Sequence, residues 1–339
     1  MIKMFNEERL YSFSSANTFP MKILLNPEII NIAHLHNRIP SIHYQLNPTN
    51  ECNFNCPICS CSEREREKEL SMHDIDQLIK VGYKHGMKSV TITGGGEPLL
   101  HPNINEIIRL FNKRNIEVGL VTNGSLLERL TTLDNITWIR ISVTDYSKEQ
   151  FKSIDTTFNN FLSRLSDIIN NDKFVDWSFS YVIGKIPDIH LIKKIIDFAT
   201  DLDFTHVRIV NDIFIADELS EKMKYVEDYI KGLGMDDSIV NYQDRSEWTK
   251  GYDPCYLSIL KPVIGADGYI YPCCGTQYAL EKPSRDYEKL MRMGHINNLE
   301  NVLSRQWFFD GSICHKCYYG NYNRVLKVLM KGLKHKEFV

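Results

Sequence analysis

The chain has 339 residues, 43% of them apolar and 24% charged, with a formal net charge of −3. That length suits one large domain or two unequal ones with an ordinary core. The near-neutral balance excludes a global basic field for nucleic acid, leaving at most a local groove, and no run approaches the ~20 apolar residues that span a bilayer.

The opening stretch, MIKMFNEERLYSFSSANTF, lacks a continuous apolar segment and a small-residue cleavage site, so no export signal is visible. Nine cysteines in such a chain point to metal ligation or thiol chemistry in a reducing compartment, hence a cytoplasmic location, rather than to a disulfide framework.

Residues 1–40 read as an irregular N-terminal extension with a short helix within ILLNPEIINIAHLH (23–36). From residue 41 a rhythm begins. SIHYQLN (41–47) alternates as a strand, and 71–86 has helical spacing, with Ser71 as a start and Gly86 as a stop. Strands follow at 89–95, 116–124, 138–145, 176–184 and 205–214. Helices are expected at 104–115, after Gly124, within 147–170, and at 188–203 and 218–234. Six strand–helix alternations indicate a parallel sheet with crossover helices. The expected fold is α/β: a partial (β/α)6 TIM-like barrel over 41–240, with a doubly wound open sheet as the alternative.

Near residue 240 the rhythm stops. PCYLSILKPVIGADGYIYPCC reads as a hairpin turning at Asp267-Gly268, within a small cysteine-bearing α+β subdomain placed at 245–325. Residues 326–339 form a basic amphipathic helical tail, expected to pack on the body, with a partner or membrane surface as the alternative.

The strands put the chemistry-bearing motifs at their C-terminal ends. ECNFNCPICSC (51–61) follows the first strand, GGGEP (94–98) ends the second and TNG (122–124) the third. Three thiolates spaced C-x3-C-x2-C can converge on an iron–sulfur cube, and zinc with Cys61 as fourth ligand is the competing reading. Cys52, Cys56 and Cys59 together with Gly95-Gly96-Glu97-Pro98 resemble the signature motifs of radical S-adenosylmethionine (SAM) enzymes, over residues 42 to about 215.

The resemblance implies a [4Fe–4S] cluster on Cys52, Cys56 and Cys59, with SAM chelating the fourth iron. Reductive cleavage of SAM would yield a 5′-deoxyadenosyl radical that abstracts hydrogen from substrate. It further implies that Gly95, Gly96 and Glu97 meet the methionyl ammonium, and that Ser142 contacts the SAM ribose or carboxylate. Val182–Gly184 and Asn211 would flank adenine. Asn123 and Asp145 are candidates that simple turns would also explain, and Arg208 is either a substrate cation or half of a salt bridge. The family commonly has an aromatic residue before the third cysteine. Here it is Ile58, which implies a changed adenine wall rather than lost SAM binding. Cys61 is surplus to three ligands and reads as a bystander, or else as a functional thiol.

Cys255, twelve residues, Gly268, four residues and Cys273 resemble the opening of the SPASM and twitch extensions of these enzymes. Only Cys314-x-x-Cys317 follows. The resemblance therefore implies a twitch-like subdomain with one auxiliary [4Fe–4S] cluster on Cys255, Cys273, Cys314 and Cys317, against a four-cysteine zinc ribbon. Cys274 would be a spare thiol beside it, with hydrogen-atom return, as in some radical SAM peptide epimerases, as its catalytic reading. A fully ligated auxiliary cluster suits electron transfer to or from a substrate radical. The implied activity is therefore dehydrogenation, crosslinking or other maturation of a peptide or small molecule, using a reductant such as flavodoxin or ferredoxin. An RNA- or nucleotide-modifying enzyme and a non-catalytic metal scaffold are the alternatives. The basic groove that RNA would need is not supported by the charge balance.

Overall fold

The structure is a computed structural model that describes residues 22–172, 174–234, 238–276, 279–280 and 287–332. The first 21 residues of the expected extension and residues 333–339 of the expected tail lie outside the described residues.

Within the N-terminal segment Pro27–His36 forms helix α1, with proline at its first turn, where no amide hydrogen is needed. Strand β1 (His43–Leu46) follows, then α2 (Met72–Lys84). Ser71 and Asp74 close a reciprocal capping box at the start of α2, which buries Ile75, Leu78 and Ile79. Next come β2 (Ser89–Ile92), α3 (Ile104–Asn112), β3 (Glu117–Thr122) and β4 (Trp138–Thr144). They are followed by α4 (Ser147–Lys152), α5 (Phe158–Asn170), β5 (Asp176–Ile183), α6 (Ile189–Asp201), β6 (His206–Asn211) and α7 (Ala216–Gly232). Between β3 and β4 the expected short helix is a single 3₁₀ turn, Leu127–Arg129.

A further strand, β7 (Val240–Gln243), pairs parallel with β6. It lies where the rhythm was read as ending, because four residues with Asn241 and Gln243 on one side carry little apolar signal.

Strands β1 to β7 lie side by side in chain order and all are parallel. A doubly wound sheet must reverse its order at a switch point, and this one never does. Right-handed crossovers then put every helix on the same face, the winding of a partial TIM-like barrel. Alternation sorts the residues accordingly. Ile139, Ile141, Phe179, Tyr181, Val207 and Ile209 are fully buried under the helices. Arg140, Ser142, Ser178, Ser180, His206 and Arg208, one step out of phase, occupy the opposite face.

The C-terminal segment adds to the same sheet. After α8 (Leu257–Leu260), β8 (Val263–Ile264) pairs parallel with the outer edge of β1. The chain turns at Asp267-Gly268, where Gly268 takes φ +79°, and returns as β9 (Tyr269–Tyr271). Helix α9 (Tyr287–Met291), β10 (Gly294–His295, against β9), α10 (Leu299–Ser304) and α11 (Gly320–Lys331) complete the order. Helix α11 packs against α1 and α8.

Candidate active site

The ten residues from Cys52 to Cys61 leave the C-terminal end of β1 as an irregular loop anchored by an aromatic ring. Phe54, between the first two cysteines, sits edge-on against Phe151 at 5.3 Å between centroids, and Phe151 stacks on Phe161 at 4.4 Å. Phe54 N donates to Cys52 Sγ at 3.4 Å, Cys61 N donates to Cys59 Sγ at 3.4 Å, and Cys59 N donates to Cys56 O at 3.0 Å. Cys52, Cys56, Cys59 and Cys61 form no disulfide and are half-buried. Burial, with Cys52 adding to it, pushes the Cys56 thiol up to about 11. Crowded thiols with amide hydrogens aimed at sulfur suit a bound cationic centre, as iron would provide. Cys61 Sγ lies 3.9 Å from Gly94 O, so this surplus thiol touches the glycine run.

The glycines are explained by that closeness. Gly96 N donates to Thr49 O at 3.0 Å and Glu97 N to Glu51 O at 2.7 Å. A Cβ on Gly95 would stand 1.7 Å from Asn50 Oδ1, and one on Gly96 1.8 Å from the Glu51 carbonyl oxygen. The loop after β2 thus lies directly against the cysteine loop.

Glu97 is 2% exposed. Its Oε1 accepts from Thr122 Oγ1 at 2.6 Å and Leu99 N at 3.1 Å, and its Oε2 from Asn123 N at 2.8 Å. Burial pushes this carboxyl up, while the three donors favour its charged form. The carboxylate expected at the SAM ammonium thus also joins the ends of β2 and β3.

Asn123 does more than turn the chain. Its Nδ2 donates to Asn53 Oδ1 at 3.0 Å, and its Oδ1 accepts from Ser125 N at 2.9 Å and Ser125 Oγ at 2.6 Å. Asn53 Nδ2 closes the triangle on Ser125 Oγ at 2.9 Å. Sequence reasoning missed Asn53 and Ser125. The only signal was two polar residues flanking motifs already chosen.

Asp145 accepts from Tyr181 Oη, from Gly184 N at 2.6 Å and from Asp188 N at 3.0 Å, so it organises the rim after β5. Asn211, fully buried at the end of β6, donates through Nδ2 to Asp244 Oδ1 at 2.8 Å, while its Oδ1 has no hydrogen-bond partner. Ser142 lies two residues inside β4, in register with Ser180 and, through it, Arg208. Arg208 donates to Ser180 Oγ from Nε at 3.2 Å and Nη2 at 2.7 Å, so its partner is a hydroxyl.

The remaining cysteines gather at the other end of the barrel. Because β9 runs back along β8, Cys273 and Cys274 return to the level where β1 begins. Cys255 N donates to Phe309 O at 2.9 Å, Gly251 N to Cys314 O at 2.9 Å, and Cys317 N to Thr249 O at 2.7 Å. These bonds bring the Cys255 and Cys314–Cys317 segments to the same place. Burial, then Cys255 and Cys317, push the Cys314 thiol up to about 12. Burial and its neighbours Cys274 and Cys255 push Cys273 up as well. Gly275 N donates to Cys273 Sγ at 3.3 Å and Asn323 Nδ2 to Cys255 Sγ at 3.5 Å. Cys274 Sγ instead meets Tyr319 Oη at 2.9 Å. Both sets are gatherings of thiols rather than closed cages. Among the described residues no three His, Cys, Asp or Glu side chains converge tightly enough to hold a single metal ion.

Residues 46–198, carrying the first cysteine loop and the glycine run, match the model of the radical SAM superfamily. Residues 46–198 therefore carry a radical SAM domain. The chain is an enzyme, and the domain's family implies a [4Fe–4S] cluster that works with SAM. A Sulfurisphaera tokodaii protein described as a probable GTP 3′,8-cyclase is 30% identical over 199 residues, 54% of this chain and 61% of that protein. A Methanococcus maripaludis protein with the same description is 24% identical over 68% of this chain and 84% of its own length. The chain thus spans under two thirds of the first of these relatives. Among solved structures, Streptococcus suis SuiB bound to precursor peptide SuiA superposes with TM-score 0.59 at 17% identity, over 87% of this chain and 71% of that one. Native anSMEcpe with bound AdoMet and a Cp18Cys peptide gives 0.57 at 16%, over 88% and 86%. At these identities the likeness shows the fold, the radical SAM barrel. No helix among the described residues is long and apolar enough to cross a membrane.

Proposed function

We propose that this radical SAM enzyme carries two [4Fe–4S] clusters and oxidises a small-molecule or peptide substrate held between them. The reading rests on one observation: the two cysteine sets lie at opposite ends of a single barrel interior lined by polar side chains. Cys52, Cys56 and Cys59 would hold the first cluster with one iron open to SAM. Cys255, Cys273, Cys314 and Cys317 would hold a second, fully ligated one in a twitch-like subdomain. When bound, the reduced first cluster supplies the electron that splits SAM into methionine and a 5′-deoxyadenosyl radical able to take hydrogen from substrate.

The chain's own residues position and shield. Gly95 and Gly96 leave backbone at the rim for the methionyl group, Glu97 and Asn123 fix that rim, and Ser142 is available to the ribose. The unpartnered Asn211 Oδ1 suits a donor such as the adenine amino group. Cys274, hydrogen-bonded to Tyr319, carries the alternative outcome: as a hydrogen-atom donor it would quench the substrate radical and give a redox-neutral product instead of an oxidised one. A flavodoxin- or ferredoxin-type reductant in the cytoplasm would supply electrons. The relatives described as probable GTP 3′,8-cyclases favour a nucleotide substrate as the second reading.

Anaerobic reconstitution with iron and sulfide counting tests the assignment. Two cubanes give about 8 irons per chain, falling to about 4 in Cys52→Ala and in Cys255→Ala. Four irons with one zinc would remove the electron-transfer role of the C-terminal set. Formation of 5′-deoxyadenosine with dithionite would then be compared with and without GTP, to weigh the nucleotide reading.

A further inference from the structure

Between the two cysteine sets the barrel interior carries cations that the proposed chemistry does not use. Arg140 on β4, Ser178 on β5 and His206 on β6 lie in register, and one pleat further along lie Ser142, Ser180 and Arg208. Arg140 is buried, with its guanidinium over Trp138 at 5.3 Å. Lys261, immediately before β8, is half-buried and lies within the electrostatic reach of Arg140, Arg208, Cys273 and Cys274. Arg245, after β7, adds to the field on Arg208 and also faces Asp212. Among the described residues no carboxylate forms an ion pair with Arg208 or Lys261. Tyr319 and Cys274 favour charge on Arg208. Burial, then Arg140 and Arg245, pull Arg208 well below its ordinary range. Ser178 Oγ, fully buried at the level of Arg140, has no hydrogen-bond partner among the described residues.

Positive groups gathered this way are stabilised by an anion, and an unpartnered buried hydroxyl by an acceptor. One oxyanion supplies both. Arg208 and Lys261, paired with no carboxylate among the described residues, suit a group of two negative charges better than a single carboxylate, and guanidinium forks match phosphate oxygens.

We propose that Arg208, Lys261 and Arg140, with the hydroxyls of Ser178 and Ser180, bind the phosphoryl group of the substrate inside the barrel. The substrate is then a phosphorylated small molecule rather than an unmodified peptide. This rests on the proposed function above, which places substrate between the two cysteine sets. The competing role for these cations is to neutralise a thiolate-ligated cluster at Cys273.

Calorimetric titration of the anaerobically reconstituted full chain with inorganic pyrophosphate, and separately with malonate, tests it. Pyrophosphate should bind the wild type more tightly than malonate. Arg208→Gln and Lys261→Met should each weaken it about tenfold or more, and Arg208→Lys should recover part of the loss. Iron content and circular dichroism show whether each variant is folded and loaded. Malonate binding more tightly than pyrophosphate, no binding of either, or equal pyrophosphate affinity in folded Arg208→Gln would each overturn the proposal. So would a change in Arg208→Gln confined to the redox potential of the second cluster, which is the neutralising role. An absent second cluster defeats the two-cluster reading and is seen in the iron count, independently of the pyrophosphate isotherm.

Discussion

Asn123 Nδ2 donates to Asn53 Oδ1 at 3.0 Å, so the residue that follows β3 holds a residue lying between Cys52 and Cys56. The same Asn123 gives its backbone N–H to Glu97. One side chain and one amide thus connect the cysteine loop, the glycine run and the third strand. Asn123→Ala removes the tie to Asn53 and the acceptor for Ser125, a cost of roughly 1–2 kcal/mol confined to the rim. The expected result is a several-fold higher KM for SAM in a dithionite-driven cleavage assay, with the global melting temperature little changed. An unchanged KM would mean that the loop is held in place by Phe54 alone.

Gly96→Ala puts a methyl group where the Glu51 carbonyl oxygen stands. Backbone cannot swing aside as a flexible side chain would, so the two loops must part. SAM binding, measured calorimetrically on the reconstituted protein, is expected to fall at least about tenfold while the far-ultraviolet circular dichroism stays native. Wild-type affinity in this variant would show that the loops separate without consequence for the cofactor.

Phe54 is the aromatic plug of the cysteine loop. Phe54→Ala loses its edge contact with Phe151 and leaves a void, at about 3–4 kcal/mol for a large-to-small change in a packed site. Because the void lies inside the C-x3-C segment, iron retention at the first site should fall before the barrel melts. Timed iron release to a chelator, compared with Leu165→Ala as a core control of similar kind, separates the two effects.

Lys22 Nζ lies 2.8 Å from His43 Nδ1, and burial, with Lys261 adding, lowers the lysine to about 7. Its ordinary value is 10.5, so between pH 7 and 10.5 the unfolded chain binds more protons than the folded one, and this group makes stability rise with pH. Lys22→Met removes the rise. The stability difference, variant minus wild type, should therefore shrink as pH increases from 7 to 9, as followed by denaturant midpoints. A difference independent of pH would place Lys22 in solvent.

The barrel was legible because its strands repeat one pattern: β-branched runs, each closed by a polar or glycine-rich end. β7 was not, since Val240–Gln243 offers too few apolar positions to stand out. The cysteine spacing is local and could be read from the chain. The placement of the two sets at opposite ends of the barrel was not, because it follows from Gln45 pairing with Val263. Glu97 shows a different limit. Its motif is legible in the sequence, yet only the fold reveals that its carboxylate accepts from Thr122, Asn123 and Leu99. Arg140 had a signal that went unused: in Trp138-Ile-Arg-Ile-Ser142 the arginine and serine alternate with isoleucines and so share the inner face.

The pairing of β8 with β1 also constrains how the molecule is made. Gln45 N donates to Pro262 O and Asn47 N to Ile264 O, so the outer edge of β1 is satisfied by a strand made more than 200 residues later. Until then that edge is an open template, and the loop bearing Cys52, Cys56 and Cys59 hangs from an unfinished strand. A nascent or truncated chain ending before residue 262 would present this edge to other chains and be prone to aggregate. The support for the Cys52–Cys59 loop is in this way completed only when the segment after residue 262 has been made.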